Sequence, residues 1–145
     1  MFTLHPTLER DSLPIVEDDD LVLRLINDAR YPWVIIVPKV PNIGELHELS
    51  EPMFDKIMAL VRHVGGVMTT VFAADKINTA AIGNMVPQLH IHIVARREDD
   101  AAWPAPVWGV DEMQPLEQGE VTRRVSCIRD GLGLSYNSRQ QDSDA

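Results

Sequence analysis

The chain has 145 residues, a net charge of −9, 45% hydrophobic residues and 24% charged residues. That composition suits one globular fold with a real core. The acidic balance argues against a nucleic-acid backbone as the main partner, because phosphates need a basic face. The only cysteine, Cys127, excludes an internal disulfide and a cysteine-built zinc cluster. The start, "MFTLHPTLERD", lacks the basic end and long apolar run of a secretion signal. The longest strongly apolar run, "WVIIV", is too short to span a bilayer. The expectation is a soluble cytoplasmic protein with no membrane partner.

In chain order, "LVLRLIND" (21–28) reads as a strand of branched residues ending in the turn pair Asn27-Asp28. "YPWVIIVPK" (31–39) reads as its antiparallel hairpin partner, after which Pro38 and Pro41 stop the sheet. A long helix is predicted over 49–75, with Ser50 as N-cap and Pro52 in its first turn. Phe54, Ile57, Met58, Val61, Val64, Met68, Val71 and Phe72 recur at three- and four-residue steps as one apolar stripe. The Gly65-Gly66 pair weakens the middle of this helix and offers close packing on the sheet. His63 beside the stripe and His47 before the helix read as packed or surface residues, and His5 carries no signal.

"KINTAAIGN" (76–84) and "QLHIHIVAR" (88–96) read as two more strands, tightly joined through Met85-Val86-Pro87. An acidic, proline-containing segment follows and packs down through Trp103 and Trp108. A short helix is predicted over 119–134, with Val121, Val125, Ile128 and Leu132 on one face. These elements give an α+β fold: an antiparallel sheet, one long helix packed on it, then a C-terminal irregular segment and short helix. The expected organisation is a main domain over 1–110, a helical extension over 111–134 and a disordered tail over 135–145.

The informative stretch is "NMVPQLHIHIVARRE" (84–98). Strand side chains alternate faces, so Leu89, Ile91 and Ile93 point to the core. Gln88, His90 and His92 point the other way, about 7 Å apart per pair. A neutral imidazole can attack phosphorus, accept a proton or hold a metal. The bland reading is a solvated outer face. Against it stand the polar entry turn "GNMVPQ" and the scarcity of Lys, Glu and Thr on this strand.

"GNMVPQLHIHIVAR" resembles the signature of the histidine triad (HIT) superfamily, in which three histidines alternate with apolar residues. Gln88 stands at the first position, His90 at the second and His92 at the third. "LINDARYPWVIIVPK" is similar to the family's strand–turn–strand ending in Pro-Lys, and the helix resembles the one preceding the signature. The resemblance covers roughly residues 1–100. It implies a HIT-like nucleotidyl hydrolase or transferase without a cofactor or protein-bound metal. His90 would attack the α-phosphorus of a nucleotide ester, anhydride or phosphoramidate, and water would release the nucleoside monophosphate from a nucleotidyl-histidine. His92 and Gln88 would donate hydrogen bonds. Asn27 or Asp28 would meet the ribose, and Asn78 and Asn84 the phosphate region. The resemblance also implies a purine nucleotide and a homodimer paired through an edge strand.

Three positions depart from the pattern. Gln88 replaces the first histidine, Trp33 the histidine of Pro-Gly-His, and Met85 a Ser or Thr. A purely nucleotide-binding sensor is therefore an open alternative. A metal site is another, with His90, His92 and Glu98 as in a cupin barrel, although the long helix has no place in such a barrel.

Overall fold

The computed structural model describes residues 1–134; the tail expected to be disordered lies outside them. The elements are α1 (Pro6–Arg10), β1 (Ser12–Glu17), β2 (Leu21–Ile26), β3 (Trp33–Pro38), a 3-10 turn (Leu46–Glu48), α2 (Glu51–Val71), β4 (Lys76–Ala80), β5 (Ile91–Arg96) and α3 (Gln118–Gly131). Five antiparallel strands form one sheet in the order β1-β2-β3-β5-β4. The expected α+β architecture is present.

The three inner strands, β2, β3 and β5, are buried almost throughout because both faces of the sheet are covered. On one face α2 sets Ile57, Val64 and Met68 against Leu23, Leu25, Val34, Ile36, Ile91 and Ile93, and α3 adds Ile128. Each fully buried branched side chain stabilises by roughly 1.5–3 kcal/mol. On the other face Val22, Ile26, Trp33, Ile35, Val37 and Val94 are covered by Leu8, Val86 and Val107, which come from α1 and two irregular segments.

Ser50 caps α2 as the sequence predicts, its hydroxyl accepting from the Met53 amide. Two members of the expected stripe, Phe54 and Met58, lie each 37% exposed. The Gly65-Gly66 pair makes no close approach, since a Cβ at either glycine would meet nothing within 4 Å. The close approach is at Gly131, where an added Cβ would sit 2.5 Å from Val67 Cγ1. There α3 crosses α2.

Two elements escape the sequence reading. β1 is an edge strand carrying Pro14, with a register shift between Pro14 and Val16; proline is tolerated there because one side of an edge strand has no ladder to feed. α1 is a single short turn opened by His5, whose Nδ1 accepts from the Thr7 amide. Two strands are shorter than expected. β4 ends at Ala80 and β5 starts at Ile91, so residues 81–90 form an irregular crossing instead of a tight turn.

Candidate active site

His90 and His92 lie on the sheet face opposite α2, as strand parity requires. His92 is registered against Ile35 of β3 and Ala80 of β4. The bland reading of a solvated face does not hold: His90 is 6% and His92 7% exposed. The cover is aromatic and local. The two imidazole rings meet edge-on at 4.7 Å, and Trp33 and Trp108 lie 5.7 and 5.4 Å from His92. Trp33 and Trp108 meet each other edge-on at 6.1 Å. Trp108 thus belongs to the histidine cluster, whereas Trp103 stacks under the Arg96 guanidinium.

The ring nitrogens are assigned by their partners. His90 Nδ1 lies 2.7 Å from the Gln88 carbonyl oxygen. A carbonyl only accepts, so Nδ1 carries the hydrogen and Nε2 keeps its lone pair. Burial lowers the His90 pKa below the usual imidazole value, outweighing the raising effect of that carbonyl, and nearby His5 lowers it further. The His92 pKa is pushed down to about 3, first by burial and then by His90. Both rings are neutral near pH 7.

Gln88 is placed beside the histidines, but its amide faces the N-terminal segment. Its Oε1 accepts from the His5 amide and its Nε2 donates to the Thr3 carbonyl, each at 2.8 Å. Those two bonds fasten residues 3–5 beside His90, while Phe2 and Leu4 pack on the same apolar cluster. His5, silent in the sequence, is therefore part of the site's surroundings. The sequence marks Trp33 as the residue in place of the Pro-Gly-His histidine, whereas nothing in it hints at His5.

The other candidates are more dispersed. Asn78 shares the histidine face, paired with Val94, and its Oδ1 accepts from Arg96 Nη1. Asn84 is exposed in the 81–90 crossing. Asn27 Oδ1 accepts from the Leu116 amide. Asp28 is fully buried and engaged: Arg30 grips both its oxygens and the Gln114 amide donates to one of them. Arg124 of α3 closes the same turn by donating to the carbonyls of Asp28, Ala29 and Tyr31. In this conformation Asn27 and Asp28 hold the 114–116 segment.

No group of three or more His, Cys, Asp or Glu suited to a metal ion occurs among the described residues. Glu98, the third ligand of the metal reading, is exposed beyond the end of β5, its amide donating to Asp75. Two clefts stand out on the described surface; the larger of the pair, about 680 Å³, lies across the sheet between β1, α2 and α3, with His63 on its wall. The smaller, about 610 Å³, runs along β4 past Asn78 to Trp108. Neither is lined by His90 or His92. The candidate chemistry rests on His90, whose Nε2 keeps a lone pair beside buried aromatics, and not on either cleft. No helix among the described residues is long and apolar enough to cross a membrane.

Known proteins are similar to this chain in sequence and fold. The HIT domain family matches residues 7–99. A histidine triad protein from Bradyrhizobium japonicum is 38% identical, covering 90% of this chain and 98% of its own, with a TM-score of 0.87. One from Sinorhizobium meliloti is also 38% identical, over 90% and 96%, at 0.87. One from Marinobacter aquaeolei is 35% identical, over 94% and 99%, at 0.89. The chain matches none of the curated proteins. With its family match spanning 93 of 145 positions (7–99), its antiparallel sheet and its paired histidines, the chain belongs to the histidine triad family.

Proposed function

We propose that this protein is a nucleotidyl hydrolase or transferase that cleaves at the α-phosphorus of a nucleotide through a covalent nucleotidyl-His90. Membership of the family supports a nucleotide-binding or hydrolase role. The observation that carries the finer reading is the orientation of His90. Its Nδ1–H is held by the Gln88 carbonyl, which leaves a neutral Nε2 as the nucleophile and stabilises the ring when it becomes cationic. Attack forms an N–P bond while the bond to the leaving group breaks with its electron pair. Water then attacks phosphorus, Nε2 recovers its electrons, and a proton is released with the nucleoside monophosphate. His92 donates to a phosphate oxygen, and the peptide groups of the 83–88 stretch add further donors.

A purine nucleotide is the expected substrate and a homodimer the expected assembly, with edge strand β4 and the exposed Phe54 and Met58 of α2 available for contact. A second reading, nucleotide binding without turnover, is favoured by one observation. The Gln88 amide gives its oxygen to the His5 amide and one of its two N–H donors to the Thr3 carbonyl, which turns it toward the N-terminal segment. The test is release of nucleoside monophosphate from a dinucleoside polyphosphate by wild type and His90→Ala. Release by wild type alone supports the enzyme. Binding without release by either supports the sensor.

A further inference from the structure

Trp33 decides which nitrogen of His92 carries the hydrogen. An indole nitrogen donates and cannot accept, and Trp33 Nε1 lies 3.0 Å from His92 Nδ1 with both groups buried. His92 Nδ1 therefore accepts, and the single hydrogen of the neutral ring is on Nε2. Giving up that hydrogen would leave an imidazolate. Gaining a second one at Nδ1 would expel the Trp33 donor and place a cation among Trp33, Trp108 and His90. Burial already opposes that cation, which is why the His92 pKa stands at about 3.

The other ring near His90 is arranged the same way. His5 Nδ1 accepts from the Thr7 amide at 3.1 Å. His90 has its own Nδ1–H on the Gln88 carbonyl. Of the cations of this face, Arg96 is buried on Asp100, Asn78 and the Ala105 carbonyl, Arg30 is held on Asp28, and Lys76 stands exposed opposite Arg96, four residues along β4 from Ala80, the partner of His92. None of these groups is set to hand a proton to a departing group.

We propose that Trp33 is a positioning residue that makes His92 a hydrogen-bond donor and not an acid, so that the site selects nucleotides whose leaving group departs as a stable anion. The preferred substrates are then mixed anhydrides of a nucleoside monophosphate with phosphate or a carboxylic acid. Alkyl phosphoramidates are disfavoured, because their amine must collect a proton before it can leave. With an anhydride the attack balances without one: His90 Nε2 bonds to phosphorus, the P–O bond breaks, and the oxygen leaves with the electron pair. This inference rests on the nucleophilic role of His90 given above.

The test has two arms. In the first, kcat/KM is measured with one nucleoside monophosphate joined in turn to phosphate, to a carboxylate and to an alkylamine. Wild type should favour both anhydrides over the alkylamide by about 10²-fold or more, the scale of a missing general acid. Trp33→Phe keeps a ring in place but removes the donor, and should narrow that ratio. Equal or faster cleavage of the alkylamide by wild type overturns the inference and leaves the role of His90 standing. Failure to release nucleoside monophosphate from any of the three overturns both. In the second arm, nitrogen-15 NMR of wild type reads the His92 tautomer without any turnover. A hydrogen-bearing Nε2 and a bare Nδ1 support the proposal, and the reverse pattern overturns it.

Discussion

The two faces of one sheet show how the same strands serve structure and chemistry by turns. The face under α2 is apolar: Leu23, Leu25, Val34, Ile36, Ile91 and Ile93 meet Ile57, Val64 and Met68. The opposite face is buried just as deeply, yet it carries His90, His92, Arg96 and the Trp33 indole, each with a specific partner. Substitutions on the first face should therefore cost stability with little change in chemistry per folded molecule, and those on the second the reverse. On this face the Tyr31 hydroxyl and Trp108 Nε1 are buried without a partner, but both histidines are matched, and the matching fixes which nitrogen of each carries the hydrogen.

The largest effect expected on the apolar face is from Ile57→Ala. This residue has no exposed surface, and the truncation should destabilise by about 2–5 kcal/mol in denaturant unfolding. Activity per folded molecule should be retained. A loss of activity at full folding would erase the division between faces. Gly131→Ala should cost about 1–3 kcal/mol by forcing Val67 aside, whereas Gly65→Ala should stabilise α2 by about 0.5–1 kcal/mol. Opposite signs from the same substitution in two helices would place the close approach at the α2–α3 crossing.

On the histidine face, acid should be destabilising over a defined window. Both histidines have folded pKa values below the unfolded value near 6.5, and His92 stands at about 3. The unfolded chain binds protons that the folded one refuses, so the contribution is present above pH 6.5 and is lost as pH falls toward 3. The slope is about 1.4 kcal/mol per pH unit per group. His92→Phe should flatten the unfolding profile across that window, and an unchanged slope would contradict the burial account. The most local effect is at Gln88. Gln88→Ala removes two hydrogen bonds of roughly 1 kcal/mol each, and hydrogen exchange should quicken at the His5 and Thr7 amides while the α2 amides stay protected.

The legible parts of the fold were those with a period. The β2–β3 hairpin, α2 and the alternation of β5 follow from apolar spacing and from the Ser50 cap. β1 was hidden because Pro14 and the acidic run after Val16 disguise its alternation. That His90 and His92 share one face was readable from strand parity, but their burial was not. It comes from Trp108, from α1 and from an N-terminal segment fastened by a side chain more than eighty residues away. Such fastening leaves no local pattern. Asn27 and Asp28 show the same limit, since a strand-end Asn-Asp pair looks free in sequence and here holds the backbone of Gln114 and Leu116.

The role of His90 is tested most directly by stopping the reaction within its first turnover in alkali, where a phosphorus–nitrogen bond to histidine survives, and mapping the peptides by mass. The expected result is a nucleoside monophosphate added to the peptide bearing His90, lost in His90→Ala. Nucleoside monophosphate released at full rate with no adduct on that peptide, or with an adduct elsewhere, would contradict it.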